Sequence, residues 1–240
     1  MVNMSGTVLK RIAAVTMLID HFGAAFFYIY TSSYDGTAAF AAADMIYDVL
    51  RIIGRTSFPL FCFLLVEGVL HTRSVWRYLS RLFVFAIVSE IPFDLAFHNR
   101  LWDMRMQNVF FTLLLGVLAL TSIKWGWEKS CVQERAGKCF LAAGWLGAAL
   151  CAGMAYLIKT DYDVKGVVLV VVLYFLRIYA PRLIAGGYMV LCYGSEIWSF
   201  PGFLLMMGYN GERGNGSKYF FYFFYPLHLL VLAGVRLLCL

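Results

Sequence analysis

Phe110-Phe111-Thr112-Leu113-Leu114-Leu115-Gly116-Val117-Leu118-Ala119-Leu120 and Val167-Val168-Leu169-Val170-Val171-Val172-Leu173-Tyr174-Phe175 are apolar throughout, with no alternation of polarity. A strand of an outer-membrane barrel alternates polar and apolar residues over about ten positions. These runs do not, so a bilayer would be spanned by helices, which satisfy their backbone polar groups within the segment. The whole chain has the same character. It is 62% apolar and 14% charged over 240 residues, with a mean hydropathy of +0.75, whereas a soluble domain is about 45–50% apolar and about 25% charged. Eight spans of roughly 20 residues would use about 160 positions, leaving about ten per connection and no room for an appended soluble domain.

The expected fold is therefore all-α, a polytopic helical membrane bundle of about eight transmembrane helices forming one domain over residues 1–240. Breaks in the apolar pattern place spans near 9–30, 50–71, 79–98, 107–124, 138–158, 164–180, 183–209 and 218–239. A cytoplasmic N-terminus puts Arg73, Arg77, Arg81, Arg135, Arg177 and Arg182 inside, and Asp35, Asp44, Asp48, Asp103, Asp161 and Glu212 outside, as the positive-inside rule requires. The net charge of +6 then reports orientation and is no evidence for nucleic-acid binding. The first apolar run carries Asp20-His21 in its middle and lacks a cleavage signal, so it reads as a span and not a leader. Six cysteines without paired or metal-type spacing read as small apolar residues. Residues 183–209 are interrupted by Gly194-Ser195-Glu196 and Ser199-Phe200-Pro201-Gly202. One kinked span is preferred over two half-spans, which would move the loop Asn210 to Lys218 to the other side.

Ionisable residues inside spans are costly, at least about 2.5–3.5 kcal/mol each near the bilayer centre, and need a partner or a wet cavity. Asp20-His21 is near mid-span. His21 reads as a general base, because neutral imidazole accepts a proton near neutral pH; the alternative is a hydrogen-bonded packing histidine. Arg51 and Arg55 share a helix face and could clamp an anion. Arg51 could equally snorkel, and Arg55 pair with Asp20 or Glu90. Glu67 and His71 share a face but make a weak metal pair, and no metal is expected. Glu90 and Asp94 flank Pro92. Gln107-Asn108 could orient a ligand, or Asn108 could cap a helix. Arg73, Arg77 and Arg81 either set topology or dock the phosphates of a cytoplasmic nucleotide. The turn Tyr209-Asn210-Gly211-Glu212-Arg213-Gly214 could present N–H groups to an anion, or be a plain solvated loop. Beyond it, Lys218, Tyr222 and Tyr225 form a stripe with His228 nearby, kinked by Pro226.

The blocks Asp20-His21, Gly54-Arg55-Thr56-Ser57-Phe58-Pro59-Leu60-Phe61, Glu67-Gly68, Arg81-Leu82, Ser89-Glu90-Ile91-Pro92-Phe93, Gln107-Asn108-Val109, Asp161-Tyr162, Tyr209-Asn210-Gly211 and Tyr225-Pro226-Leu227-His228 resemble, in order and over nearly the whole chain, the TraX family of bacterial membrane proteins. That resemblance implies a pilin-acetylase-like protein related to transmembrane acyltransferases that use acyl-CoA. It implies that His21 is the catalytic base and that arginines serve the cofactor, Arg55 first, then Arg77 and Arg81. The resulting expectation is an acyltransferase of the bacterial inner membrane that moves an acetyl group from acetyl-CoA to an amine or hydroxyl of a pilin, glycan or small molecule. Asp20 would hold charge balance beside His21, with Arg73 completing the cofactor set. Glu67, Glu90, Asn108, Tyr222, Tyr225 and His228 would serve substrate or oxyanion. A homodimer is left open. A proton-coupled transporter and a non-catalytic pilus or envelope assembly factor are the rival readings.

Overall fold

The computed structural model describes residues 3–27, 38–176, 187–191, 194–216 and 218–239. Asp35, Arg177, Arg182, Cys192 and the side chain of Lys218 lie outside the described residues. The elements are α1 (Gly6–Phe22), continued by a π-helical turn (Gly23–Phe27), then α2 (Ala38–Gly54), α3 (Ser57–Leu70), α4 (Val75–His98), α5 (Val109–Val132), α6 (Gly137–Leu157), α7 (Asp163–Leu176), a 3-10 turn (Gly194–Ser199), α8 (Phe200–Met206) and α9 (Lys218–Cys239). No strand occurs among the described residues; Met4 with Tyr209 and Gln107 with Thr160 form isolated bridges. Among the described residues, four stretches are long and apolar enough to cross a membrane: Phe40–Leu70, Val109–Val132, Gly137–Leu157 and Tyr219–Leu238.

Two departures from the expected boundaries have local causes. Residues 38–49, read as part of a connection, are helical, because Ala38, Ala39, Ala41, Ala42 and Ala43 favour helix strongly. Asp44 and Asp48 interrupt the apolar run but fall four apart and are both exposed. Helix α5 continues past 124 to Val132, where Lys124 and Glu128 sit 3.8 Å apart at helical spacing.

The chain forms two compact units, Met1–Phe61 with Val88–Asp103 and Leu191–Leu240, and Cys62–Ile87 with Met104–Val190. In the second unit, α5, α6 and α7 pack through small residues. A Cβ on Gly126 would lie 2.5 Å from the Phe140 carbonyl, and one on Gly144 would lie 2.9 Å from the Ser122 carbonyl. Ser122 Oγ donates to the Gly144 carbonyl at 3.0 Å. Close backbone approach through small residues, sealed by a hydroxyl, is how helices associate where the solvent is as apolar as leucine. Leu115, Ala119, Ile123, Ala148, Ala155 and Val167 form the core behind this seam. Gln107 N donates to Lys159 O and Asp161 N to Gln107 O, and Tyr162 N reaches Thr112 Oγ1. The polar blocks at 107–108 and 161–162 thus tie the start of α5 to the start of α7.

In the first unit, α1 and α9 run side by side in the same direction. Gly216 lies against Thr7, the Lys10 ammonium lies 5.6 Å from the centre of the Phe221 ring, and His21 meets His228. Their shared start is built by the glycine-rich loop. A helix leaves its first amides without partners, and Ser5 supplies no side-chain cap to α1. Instead Gly6 N donates to Glu212 O at 2.8 Å, Thr7 N to Arg213 O at 2.9 Å and Thr7 Oγ1 to the same carbonyl, while Met4 N donates to Gly208 O and Asn210 N to Met4 O. The loop and the N-terminus therefore share one side. This corrects the placement of Glu212 opposite the N-terminus: Gly194–Ser199 and Phe200–Met206 are two short helices, and the loop after them returns to α1.

The clamp needs glycine. Gly211 and Gly214 have φ of 80° and 71°, a region that costs an L-residue about 1–2 kcal/mol. A Cβ on Gly211 meets open space, whereas one on Gly214 would collide with Ser5. Gly214→Ala is expected to lower the thermal unfolding midpoint clearly more than Gly211→Ala. Equal effects in the two variants would mean that the loop does not hold α1.

Candidate functional site

Two contacts of the first unit meet beside the end of α1, a histidine pair and an ion pair. His21 Nδ1 and His228 Nε2 are 2.7 Å apart, with the two rings within 7° of one plane orientation. His228 Nδ1 lies 2.7 Å from the Phe224 carbonyl one turn back on α9. His228 is 6% exposed and His21 half-buried. Aromatic neighbours fix both planes. Phe224 stacks on His228 at 4.9 Å and 16°, Tyr225 stands edge-on to both rings, and Phe97 stands edge-on to His21 at 5.3 Å. Pro226 lies inside α9 and cannot donate to the turn before it; Tyr225 and His228 on either side of it have their ring centres 5.6 Å apart.

One residue before His21, Asp20 pairs with Arg51 of α2, Nη1 to Oδ2 at 2.7 Å. Adjacent positions on a helix differ by about 100°, so Asp20 faces α2 while His21 faces α9. The pair meets because Gly54 has no side chain: a Cβ there would overlap the Asp20 carboxylate. Gly23 gives a similar close fit: a Cβ added to it would lie 2.9 Å from the Leu50 Cβ. Arg55, the next arginine on that face, pairs with Glu196 of the 3-10 turn at 2.5 Å. Arg51, read as a residue that could snorkel, is the partner of Asp20, and Arg55 forms an ion pair with Glu196, a partner that sequence reasoning did not name. Sequence reasoning saw Gly194-Ser195-Glu196 only as a break. A carboxylate inside a membrane-length apolar segment was the signal that could have marked Glu196 as an arginine's partner.

Glu90 and Asp94 are buried on α4. Asp94 accepts from Asp103 N at 2.6 Å and lies 3.3 Å from His98 Nδ1, so it braces the turn that follows its helix. Tyr225 is buried and Tyr222 half-buried on α9.

The remaining candidates belong to the second unit. Arg73 and Arg77 are exposed at the start of α4, beside Trp76. Arg81 lies with its guanidinium 5.6 Å from the Tyr78 ring centre, and Gly68 of α3 packs against the Tyr78 hydroxyl. Glu67 is 3.9 Å from His71. Asn108 is fully buried. Its Oδ1 accepts from Phe110 N at 3.0 Å and its Nδ2 donates to Ala86 O at 2.8 Å. Of its two readings, the helix cap is the one the contacts display, with the amide spent on backbone.

A helical membrane protein with paired histidines and ion-paired arginines among its apolar helices is the class that this geometry defines. The chain belongs to the TraX family: it matches the family described as TraX protein over residues 5–236. It is also 27% identical to a protein of Dichelobacter nodosus whose name reads "Probable fimbrial assembly protein FimC, serogroup H1", over 98% of this chain and 97% of that one. No solved structure matches it.

Proposed function

We propose that this chain is a membrane acyltransferase that moves an acetyl group from cytoplasmic acetyl-CoA to an amine or hydroxyl acceptor, with His21 as general base. The observation that carries the reading is the His21–His228 pair, 2.7 Å between ring nitrogens among apolar helices. Two imidazoles in contact are a poor way to fill a core, since each buried polar nitrogen must find a partner. They are a good way to hold a base that is neutral near pH 7.

In the proposed step the acceptor N–H or O–H gives its proton to His21 as its nitrogen or oxygen bonds to the acetyl carbonyl carbon. The carbon–sulfur bond then breaks, and His21 returns the proton to the sulfur, so that a free thiol leaves. Tyr225 and Tyr222 are the phenols of the same unit suited to the developing oxyanion. Asp20, held by Arg51, keeps the charge beside His21 balanced. Exposed guanidinium groups suit phosphates because their donors form a planar fork. Arg73 and Arg77 meet that requirement, with Arg81 behind them on the same helix, and they are assigned to the phosphates of the coenzyme. Arg55, in its ion pair with Glu196, would serve the cofactor by holding the broken segment in place.

The reading includes seven full spans, with the short helices Gly194–Ser199 and Phe200–Met206 not counted as a full crossing because α1 and α9 are parallel, a cytoplasmic N-terminus and a place in the bacterial inner membrane, which brings acetyl-CoA to one face and the acceptor to the other. The fimbrial name of the Dichelobacter nodosus relative favours a pilus subunit as acceptor. It also favours the second reading, a non-catalytic assembly factor. The two separate in a direct assay. Purified chain in lipid nanodiscs is expected to release free thiol from acetyl-CoA only when an amine or hydroxyl acceptor is present, with one acetylated acceptor per thiol. Absence of thiol release across pilin, glycan and small-molecule acceptors would favour the assembly factor.

A further inference from the structure

We propose that His228 is a positioning residue that holds His21 as its Nδ1–H tautomer and so makes Nε2 the basic nitrogen. The inference rests on the acyltransfer reading for its functional consequence, but its structural content stands on the hydrogen bonds. A backbone carbonyl only accepts, so the 2.7 Å contact from Phe224 O to His228 Nδ1 puts a hydrogen on that nitrogen. A neutral ring has one N–H, which leaves His228 Nε2 with an in-plane lone pair. That lone pair is 2.7 Å from His21 Nδ1, in rings whose planes differ by 7°. His21 Nδ1 is then the donor, and the lone pair of His21 lies on Nε2, to which no hydrogen bond is made among the described residues. The relay reads carbonyl, His228, His21, with the second ring in the place that a carboxylate holds in a triad, where the orienting partner sets tautomer and direction.

The surroundings keep this chain of bonds in register. Phe224 stacks on the His228 face, and Tyr225 and Phe97 stand edge-on to His21, so neither ring is free to turn out of the shared plane. The register of α1 against α9 is set at their common start by the loop that caps α1. In the proposed reaction the proton leaving the acceptor goes to His21 Nε2 while Nδ1–H stays bonded to His228. The imidazolium formed donates at Nδ1 to His228 and at Nε2 to the sulfur of the departing thiol, to which it gives the proton back. His228 touches neither the acceptor nor the acyl group, which changes its expected role from substrate contact to the orientation of His21.

The test uses the full chain in lipid nanodiscs with 15N-labelled histidine, the His21 signals being those lost in His21→Gln. The wild-type protein is expected to show His21 protonated at Nδ1 and bare at Nε2. His228→Phe keeps the ring shape without an acceptor and is expected to shift His21 toward the Nε2–H tautomer. It should also lower kcat by about 10²–10⁴-fold, with the KM for acetyl-CoA unchanged. His228→Gln, whose amide oxygen reaches the position of the lost Nε2, is expected to restore the Nδ1–H signal and most of kcat. An Nε2–H His21 in the wild-type protein would overturn the assignment, and so would equal impairment of the Phe and Gln variants. If His228→Phe does not fold, the wild-type and Gln spectra decide. Absence of transfer by the wild-type chain would sink the acyltransfer reading, while the wild-type spectrum would still decide the tautomer.

Discussion

Glutamine at position 21 is expected to lower the rate of acetyl transfer by about 10²–10⁴-fold, the usual contribution of a positioned proton acceptor, without raising the KM for acetyl-CoA. The side chain of His21→Gln fills similar volume and stays polar, so the first unit should keep its stability. What is lost is a nitrogen able to take a proton near neutral pH. Loss in kcat alone is the mark of an interaction made in the transition state. The check is a pair of measurements on purified protein, steady-state thiol release and the thermal unfolding midpoint. A fall in kcat with an unchanged midpoint is the expected pattern. An unchanged kcat would remove His21 from the chemistry.

The second large effect is expected at Arg51. Its guanidinium is the partner of Asp20, and the two side chains are only 24% and 16% exposed. Removing one member of a buried pair leaves an uncompensated charge and costs about 3–5 kcal/mol, with the lower end apt here because some exposure remains. Arg51→Met should therefore destabilise the protein strongly. Asp20→Leu in the Arg51→Met background should recover much of that loss, since two apolar side chains replace two charges. The cycle of both single variants and the double, read by thermal or denaturant unfolding, gives the coupling. Additive losses would mean that the contact between Asp20 and Arg51 contributes nothing of its own.

These two residues also mark how far sequence reasoning carries. The helical membrane class was legible because Phe110 to Leu120 and Val167 to Phe175 leave no other way to satisfy a backbone in lipid. Asp20, His21, Arg55, Glu90 and His228 were legible as exceptions to that apolarity. Which exception meets which was not. Arg51 and Arg55 are one helical turn apart, about 5–6 Å, and only the register of α1 against α2, set by the bare backbone at Gly54, gives Asp20 to the first of them. Likewise His21 and His228 are separated by more than two hundred positions, and their contact depends on where α9 starts relative to α1.

That start was hidden in a motif read for its chemistry. Tyr209 to Gly214 looked like a turn because of its glycines, and it is one, but its carbonyls serve Gly6 and Thr7. Backbone partners leave no trace in side-chain pattern. The same holds for Asn108, whose amide spans backbone groups of two helices, and for Gln107 and Asp161, which meet through main-chain atoms. Several polar blocks of this chain thus build the frame, while the histidine pair and the ion-paired arginines remain as the groups with chemistry to spare. The start of α2 was missed for a different reason. Asp44 and Asp48 break hydropathy without breaking a helix, and a reading by apolar runs stops where charge begins, even on an exposed face.

The proposed activity is acetyl transfer by way of His21. Its most direct test is to add acetyl-CoA labelled in the acetyl group to inverted inner-membrane vesicles that carry the wild-type chain, the His21→Gln variant at matched abundance, or neither. Such vesicles retain membrane-bound acceptors and expose the cytoplasmic face to the donor. Label is expected to enter a membrane-associated acceptor with the wild-type chain and to fall to the level of empty vesicles with His21→Gln. Equal labelling by the two chains, or none above background with the wild-type chain, would contradict it.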